Sequence, residues 1–217
     1  MEKQFAILKD LSEYRTPTEM KNYFEEVIQA LKDDRMALKI SRLRKGEFKE
    51  FQEEFVPAYV FSLSPYFPKD AKAKIIIGDQ NYDFVILHPN GTEEKFEVSS
   101  YINGIREVEI AQALNEQGMW ISRLKGYEQL KEQAATYIEE TKKNMLKKSK
   151  KDYTHASLLF EVSTFEFSVI FHNEFDTSLL DLAKFMYDTP FKAKHVYLIV
   201  QNGDDIPTVA SNIIKVK

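Results

Sequence analysis

The stretch YDFVILHPNGTEEKFEVSS, residues 82–100, constrains the fold more than any other part of the chain. Two apolar-rich runs flank the turn-forming HPNG, which reads as an antiparallel hairpin. With Pro89, Asn90 and Gly91 as a three-residue loop, Gly91 takes the left-handed position. Asp83 then faces Glu97, Phe84 faces Phe96 and Val85 faces Lys95. Facing residues project from one side of the pair with Cβ atoms ~5 Å apart. Two like charges so placed repel each other unless something neutralises them. A hard divalent cation is one remedy, because Mg²⁺ takes oxygen ligands and commonly uses one or two carboxylates. Lys95 and Ser99 share the face of Glu97 by the two-residue alternation of a strand. The residues alone also fit a plain solvated face, on which Glu93, Lys95 and Glu97 simply meet water. A loop one residue longer or shorter puts the two carboxylates on opposite faces.

Helical and strand-like runs alternate around this hairpin. TPTEMKNYFEEVIQALKDDR carries Thr16 or Thr18 as a cap, and its apolar positions recur at helical spacing. A second helical pattern, GEFKEFQEEFVPAYVFSLSPYF, is bent or interrupted at Pro57 and ended by Pro65 and Pro68. AKAKIIIGD reads as a strand before the hairpin, and IREVEIAQALNEQG as a helix stopped by Gly118. The polar-faced run 126–153 reads as a long helix with Tyr137, Ile138 and Met145 on its apolar side. ASLLFEVSTFEFSVIF then reads as strand, TSLLDLAKFMYD as helix and HVYLIVQN as a last buried strand. The pattern predicts an α/β fold with a mixed sheet, an antiparallel start followed by strands entered after helical crossovers. The organisation expected is an N-terminal helical extension over residues 1–44 and an α/β core over 45–217, packed as a single domain.

Composition removes several functions. The chain has no cysteine, so disulfides and thiolate metal sites are excluded. Its four histidines, His88, His155, His172 and His195, lack the spacing of a ligand pair on a helix. A formal net charge of −4 supplies no general field for nucleic acid or an acidic membrane, so such affinity requires a local patch. Six lysines between Lys142 and Lys151 form one candidate, which reads equally as a solvated helix end complementing the helix dipole. Arg42, Arg44 and Lys45 read as a basic surface turn, Trp120 as buried, His88 as exposed, and Tyr153 and His195 as packing residues. No run reaches the ~18 apolar residues of a membrane span. The opening residues lack the apolar core of a secretory signal. A soluble cytoplasmic protein is expected, with no membrane partner.

The order of elements, with Asp83 in YDF opening the second strand and Glu97 in EVS on the third, resembles the PD-(D/E)xK, or restriction-endonuclease-like, superfamily. GDQNYD followed by FEVSSYING, and later KKSKKDYTHASLLFEV, look like a degenerate, uncharacterised bacterial and phage-type subgroup of it. The likeness covers roughly residues 45–201. It implies a core of helix, three-stranded antiparallel start, helix and strand, in a mixed sheet flanked by helices. It implies a nuclease that hydrolyses phosphodiester bonds with Mg²⁺ or Mn²⁺ held by Asp83 and Glu97. A further carboxylate comes from FQEEFVP, Glu53 or, by preference, Glu54. Nucleic acid is the implied partner, DNA ahead of RNA, with a homodimer as the assembly that cuts both strands. The family's motif lysine is replaced here by Ser99, which carries no positive charge. Three outcomes stay open: Lys95 substitutes, Gln112 orients water from the following helix, or catalysis is lost and the fold serves as a nucleic-acid or protein interaction module.

Overall fold

A computed structural model describes residues 6–78, 80–120, 126–164 and 172–217. Contacts divide the chain into two compact units. The first comprises the described residues of Met1–Lys95 and Ile102–Ile121, the second those of Phe96–Tyr101 and Ser122–Lys217.

The first unit opens on helix α1 (Pro17–Asp33), which begins where the sequence supplies a complete capping box. The Thr16 hydroxyl accepts from the Glu19 backbone N–H, and the Glu19 carboxylate accepts from the Thr16 N–H at 2.7 Å. Thr16 rather than Thr18 is therefore the cap, and Thr16→Ala should cost about 1 kcal/mol of stability by chemical denaturation. Helix α2 (Arg35–Arg42) follows, capped by Asp34. A continuous helical rod then runs through α3 (Glu47–Glu50), a π-helical turn (Phe51–Phe55) and α4 (Val56–Ser62). The pattern thus runs unbroken through Pro57, which the widened turn accommodates. Tyr23 and Phe24 of α1 pack on this rod, edge-on to Phe55 and stacked on Phe51. The N-terminal helices share a core with the rod that follows them.

Strand β1 (Lys72–Ile75) pairs antiparallel with β2 (Phe84–Leu87). The hairpin loop closes as its residues dictate. The His88 N–H donates to the Thr92 carbonyl at 2.8 Å, and the Gly91 N–H donates to the His88 carbonyl at 2.9 Å. Gly91 has φ +82°, the left-handed geometry this loop needs. Strand β3 (Glu93–Ser100) leaves the loop, and α5 (Gly104–Gln117) follows, ended by Gly118 at φ +74°.

The second unit is built on β3 from Phe96 onward, helix α6 (Tyr127–Ser149), β4 (Asp152–Tyr153), β5 (Ala156–Ser163), α7 (His172–Asp188), β6 (Lys192–Ala193), β7 (Val196–Gln201), α8 (Ile206–Ser211) and β8 (Ile214–Lys215). β5 and β7 run parallel, and their residues are buried almost continuously, as expected of central strands covered on both faces. Phe160, Leu158 and Leu198 of these strands meet Met145 of α6 and Leu182 and Met186 of α7 in one apolar cluster. The second half of the expected strand, residues 165–171, lies outside the described residues.

The strands order as β1-β2-β3-β5-β7-β8, with β4 and β6 forming a separate parallel pair. The protein is therefore α/β, with a mixed six-stranded sheet flanked by helices. Among the described residues no helix is long and apolar enough to cross a membrane.

Candidate functional site

Glu54 owes its position to the π turn. Pro57 has no backbone N–H, and in a regular helix its ring would press on the carbonyl four residues earlier. The chain widens instead, and the Val56 N–H reaches the Phe51 carbonyl, five residues back. Phe51 and Phe55 hold the inner side of this turn, their rings stacked at 5.3 Å. Gln52 ties it to α2, donating to the Ser41 carbonyl at 2.8 Å. Glu53 and Glu54 are carried on the same turn but meet different surroundings. Arg44 lies 3.5 Å from Glu53 and 3.1 Å from Glu107, so the charge of Glu53 is matched. Among the described residues no cation forms an ion pair with Glu54. Its Oε2 is buried without a hydrogen-bond partner, as is Oε2 of Glu50 one helical turn earlier.

Asp83 stands one residue before β2, and its carbonyl accepts from the Ile76 N–H at 2.9 Å. Its carboxylate is close enough to act on Glu54. Burial pushes the Glu54 carboxyl up to about 8, and the negative charges of Asp83, Glu50 and Glu53 add to the shift, partly offset by Lys49. At neutral pH Glu54 therefore holds its proton unless a cation takes the proton's place. The Glu54 and Asp83 carboxyls form the candidate acidic centre of the first unit.

Glu97 has a different partner. Lys148, near the end of α6, forms an ion pair with its Oε1, with both side chains less than one-fifth exposed. The Tyr153 hydroxyl donates to the same oxygen at 3.3 Å. One turn earlier on α6, the Asn144 amide donates to the Ser99 hydroxyl at 3.0 Å and to the Ser100 carbonyl at 3.1 Å. Ser99, buried and engaged in this way, fixes α6 on β3. Lys95 lies with its ammonium 4.6 Å from the centre of the Tyr82 ring, and Gln112 is exposed on α5. Among the described residues no three of His, Asp and Glu are grouped closely enough to hold a metal ion. Glu54 and Asp83 are brought together, while the negative charge of Glu97 is met by a lysine.

Several single-residue expectations change. The lysine run at the end of α6 is not uniformly solvated, because Lys148 turns inward to Glu97. Arg42 and Arg44 are not a free surface turn. Arg42 donates to the Leu114 carbonyl at 3.1 Å, and Arg44 bridges the π turn to α5. Trp120 is 38% exposed rather than buried. His88 is half-buried and lies 3.6 Å from Glu94. Tyr153 is buried as expected, and it also spends its hydroxyl on Glu97. The inward turn of Lys148 had a signal in the sequence: with Tyr137, Thr141 and Met145, all buried, it continues one helical stripe.

Compared with protein-family models, curated proteins and solved structures, the chain matches none.

Proposed function

We propose that this protein is a metal-dependent phosphodiesterase of restriction-endonuclease-like type that acts on nucleic acid, DNA ahead of RNA. The observation carrying this reading is the Glu54 carboxyl, whose Oε2 is buried without a hydrogen-bond partner and which feels the charge of Asp83. Burying such a group without a partner costs free energy, and functional sites are where that cost is commonly borne. The donor set suits a hard cation, which is often held by one or two carboxylates with the remaining positions left to water and phosphate. Asp83 and Glu54 would hold the ion, Glu54 giving up its proton to do so. When bound, Mg²⁺ or Mn²⁺ would lower the pKa of a water and offset charge on the scissile phosphate. Glu97, neutralised by Lys148, is not counted among the ligands.

A second reading has its own support. The motif lysine is absent, Ser99 is committed to Asn144, and Glu97 is committed to Lys148. A chain that kept this fold only to bind nucleic acid or protein would look the same at these positions.

Calorimetric titration with Mn²⁺ near neutral pH tests the first reading. Because Glu54 titrates at about 8, Mn²⁺ uptake should release most of one proton, seen as an enthalpy that varies with the ionisation heat of the buffer. Asp83→Ala should weaken binding about tenfold, the scale of losing one ligand's contribution of ~1.4 kcal/mol. The native protein should also cleave labelled DNA when Mn²⁺ is added. A chain that takes up no Mn²⁺ yet still retains DNA is the binding module of the second reading.

A further inference from the structure

The basic end of α6 is not one patch but three sets of lysines. Lys142 and Lys143 are paired within the helix, with Glu139 at 3.8 Å and Glu140 at 2.6 Å. Lys148 is turned inward onto Glu97. Lys147, Lys150 and Lys151 remain exposed.

The fold adds to this last set from elsewhere in the chain. β4 pairs parallel with β6, setting Asp152 beside Lys192 and Tyr153 beside Ala193. One residue past β6, the Lys194 N–H donates to the Ala156 carbonyl at 2.9 Å, which continues the alignment. The segment KKSKKDYTH is thereby laid alongside FKAKH, although some forty residues separate them. Alternation sorts the side chains. Tyr153 faces the core, while Asp152, Lys192 and Lys194 face solvent. Two residues along a strand are about 6.6 Å apart, so Lys192 and Lys194 stand in a row at that interval.

Asp152 is the acid within these two segments. It accepts from the Thr154 backbone N–H at 3.0 Å and interacts electrostatically with His155 and Lys192. Five exposed lysines against one aspartate make this a locally positive face on a chain of net charge −4. A polyanion approaching a molecule of negative net charge is steered to such a face. Lysine ammonium groups act as point charges, suited to a row of phosphates rather than to a single bidentate anion.

We propose that Lys147, Lys150, Lys151, Lys192 and Lys194 form a surface that binds the phosphate backbone of nucleic acid. The inference takes its partner class from the proposed function but does not depend on hydrolysis. It assigns the face and the mode: backbone contact, independent of sequence.

The test is fluorescence anisotropy with a short labelled DNA duplex across a salt series. The Lys150→Gln/Lys151→Gln/Lys192→Gln protein should bind about tenfold more weakly near physiological salt. Its slope of log affinity against log salt should be shallower by about 2 to 3, one step of ~0.9 for each phosphate contact removed. A control with Lys32→Gln/Lys45→Gln/Lys69→Gln, exposed lysines of the first unit, should bind like the native chain. Equal losses in both triple variants, or no loss in the first, overturn the proposal. So does a native protein that binds anionic lipid vesicles or heparin but not DNA. Mn²⁺ titration separates the two proposals. The lysine variant should take up Mn²⁺ normally. Failure of Mn²⁺ uptake alone removes the phosphodiesterase reading and leaves the surface standing.

Discussion

A Glu54→Gln protein is expected to be more stable than the native chain at pH 8, by about 2 kcal/mol, and no more stable at pH 4.5. The sign follows from linkage. The Glu54 carboxyl has an ordinary value of 4.5 and is raised to about 8 in the folded protein, first by burial and then by Asp83, Glu50 and Glu53. Between these limits the folded state holds a proton that the unfolded chain has released. Stability contributed by that proton is complete below pH 4.5 and is lost as pH rises through 8. The full span would correspond to nearly 5 kcal/mol at ~1.36 kcal/mol per unit. Partial access of the carboxyl to water screens it, and about 2 kcal/mol is what survives. Glutamine keeps the shape and cannot ionise, so it escapes the loss. Thermal unfolding at a series of pH values reads the difference as about 4 to 8 °C in Tm at pH 8. Parallel Tm curves for the two proteins would mean that Glu54 is not deprived of partners, and the candidate site would lose its main support. Saturating Mn²⁺ should close the gap by stabilising the native chain selectively.

Where the sequence was explicit, local chemistry decided the outcome. Asn90 and Gly91 specify a turn that few other residues make, so the loop and the pairing of His88 with Thr92 could be read directly. Thr16 and Glu19 mark a helix start, and Gly118 marks a helix end, for equally local reasons. The continuous apolar run of HVYLIVQN predicts a strand buried on both faces, which β7 is. The candidate site was legible only in part, because its features depend on partners distant in sequence. Choosing Glu54 over Glu53 depends on Arg44, which reaches both Glu53 and Glu107. The π turn depends on how Phe51 and Phe55 pack while Pro57 withholds its N–H. Hairpin arithmetic identified the like charges of Asp83 and Glu97 as a problem needing a remedy. It could not show that the remedy for Glu97 is a lysine 51 residues further on. Nor could it show that β4 and β6 would set Lys192 and Lys194 beside the lysines at the end of α6.

Lys148→Met should destabilise the second unit by about 2 to 3 kcal/mol, because it leaves Glu97 largely buried with, among the described residues, the Tyr153 hydroxyl to meet its charge. Methionine preserves the length and most of the packing of the lysine stem, so the loss reports the charge rather than a cavity. Glu97→Gln alone should cost less, since Lys148 can extend toward water. The double variant Glu97→Gln/Lys148→Met should recover most of the loss, with a coupling of about 1 to 2 kcal/mol in the cycle. Chemical denaturation of the four proteins measures it. Ser99 holds α6 through Asn144, and one turn later the same helix delivers Lys148 to Glu97, so α6 supplies a positive charge to β3. A strongly coupled pair means that Glu97 is structurally engaged and that any cation chemistry rests on Glu54 and Asp83. A Lys148→Met protein as stable as the native chain would make the lysine a solvated helix end, and would return Glu97 to the ligand role that the family resemblance implies.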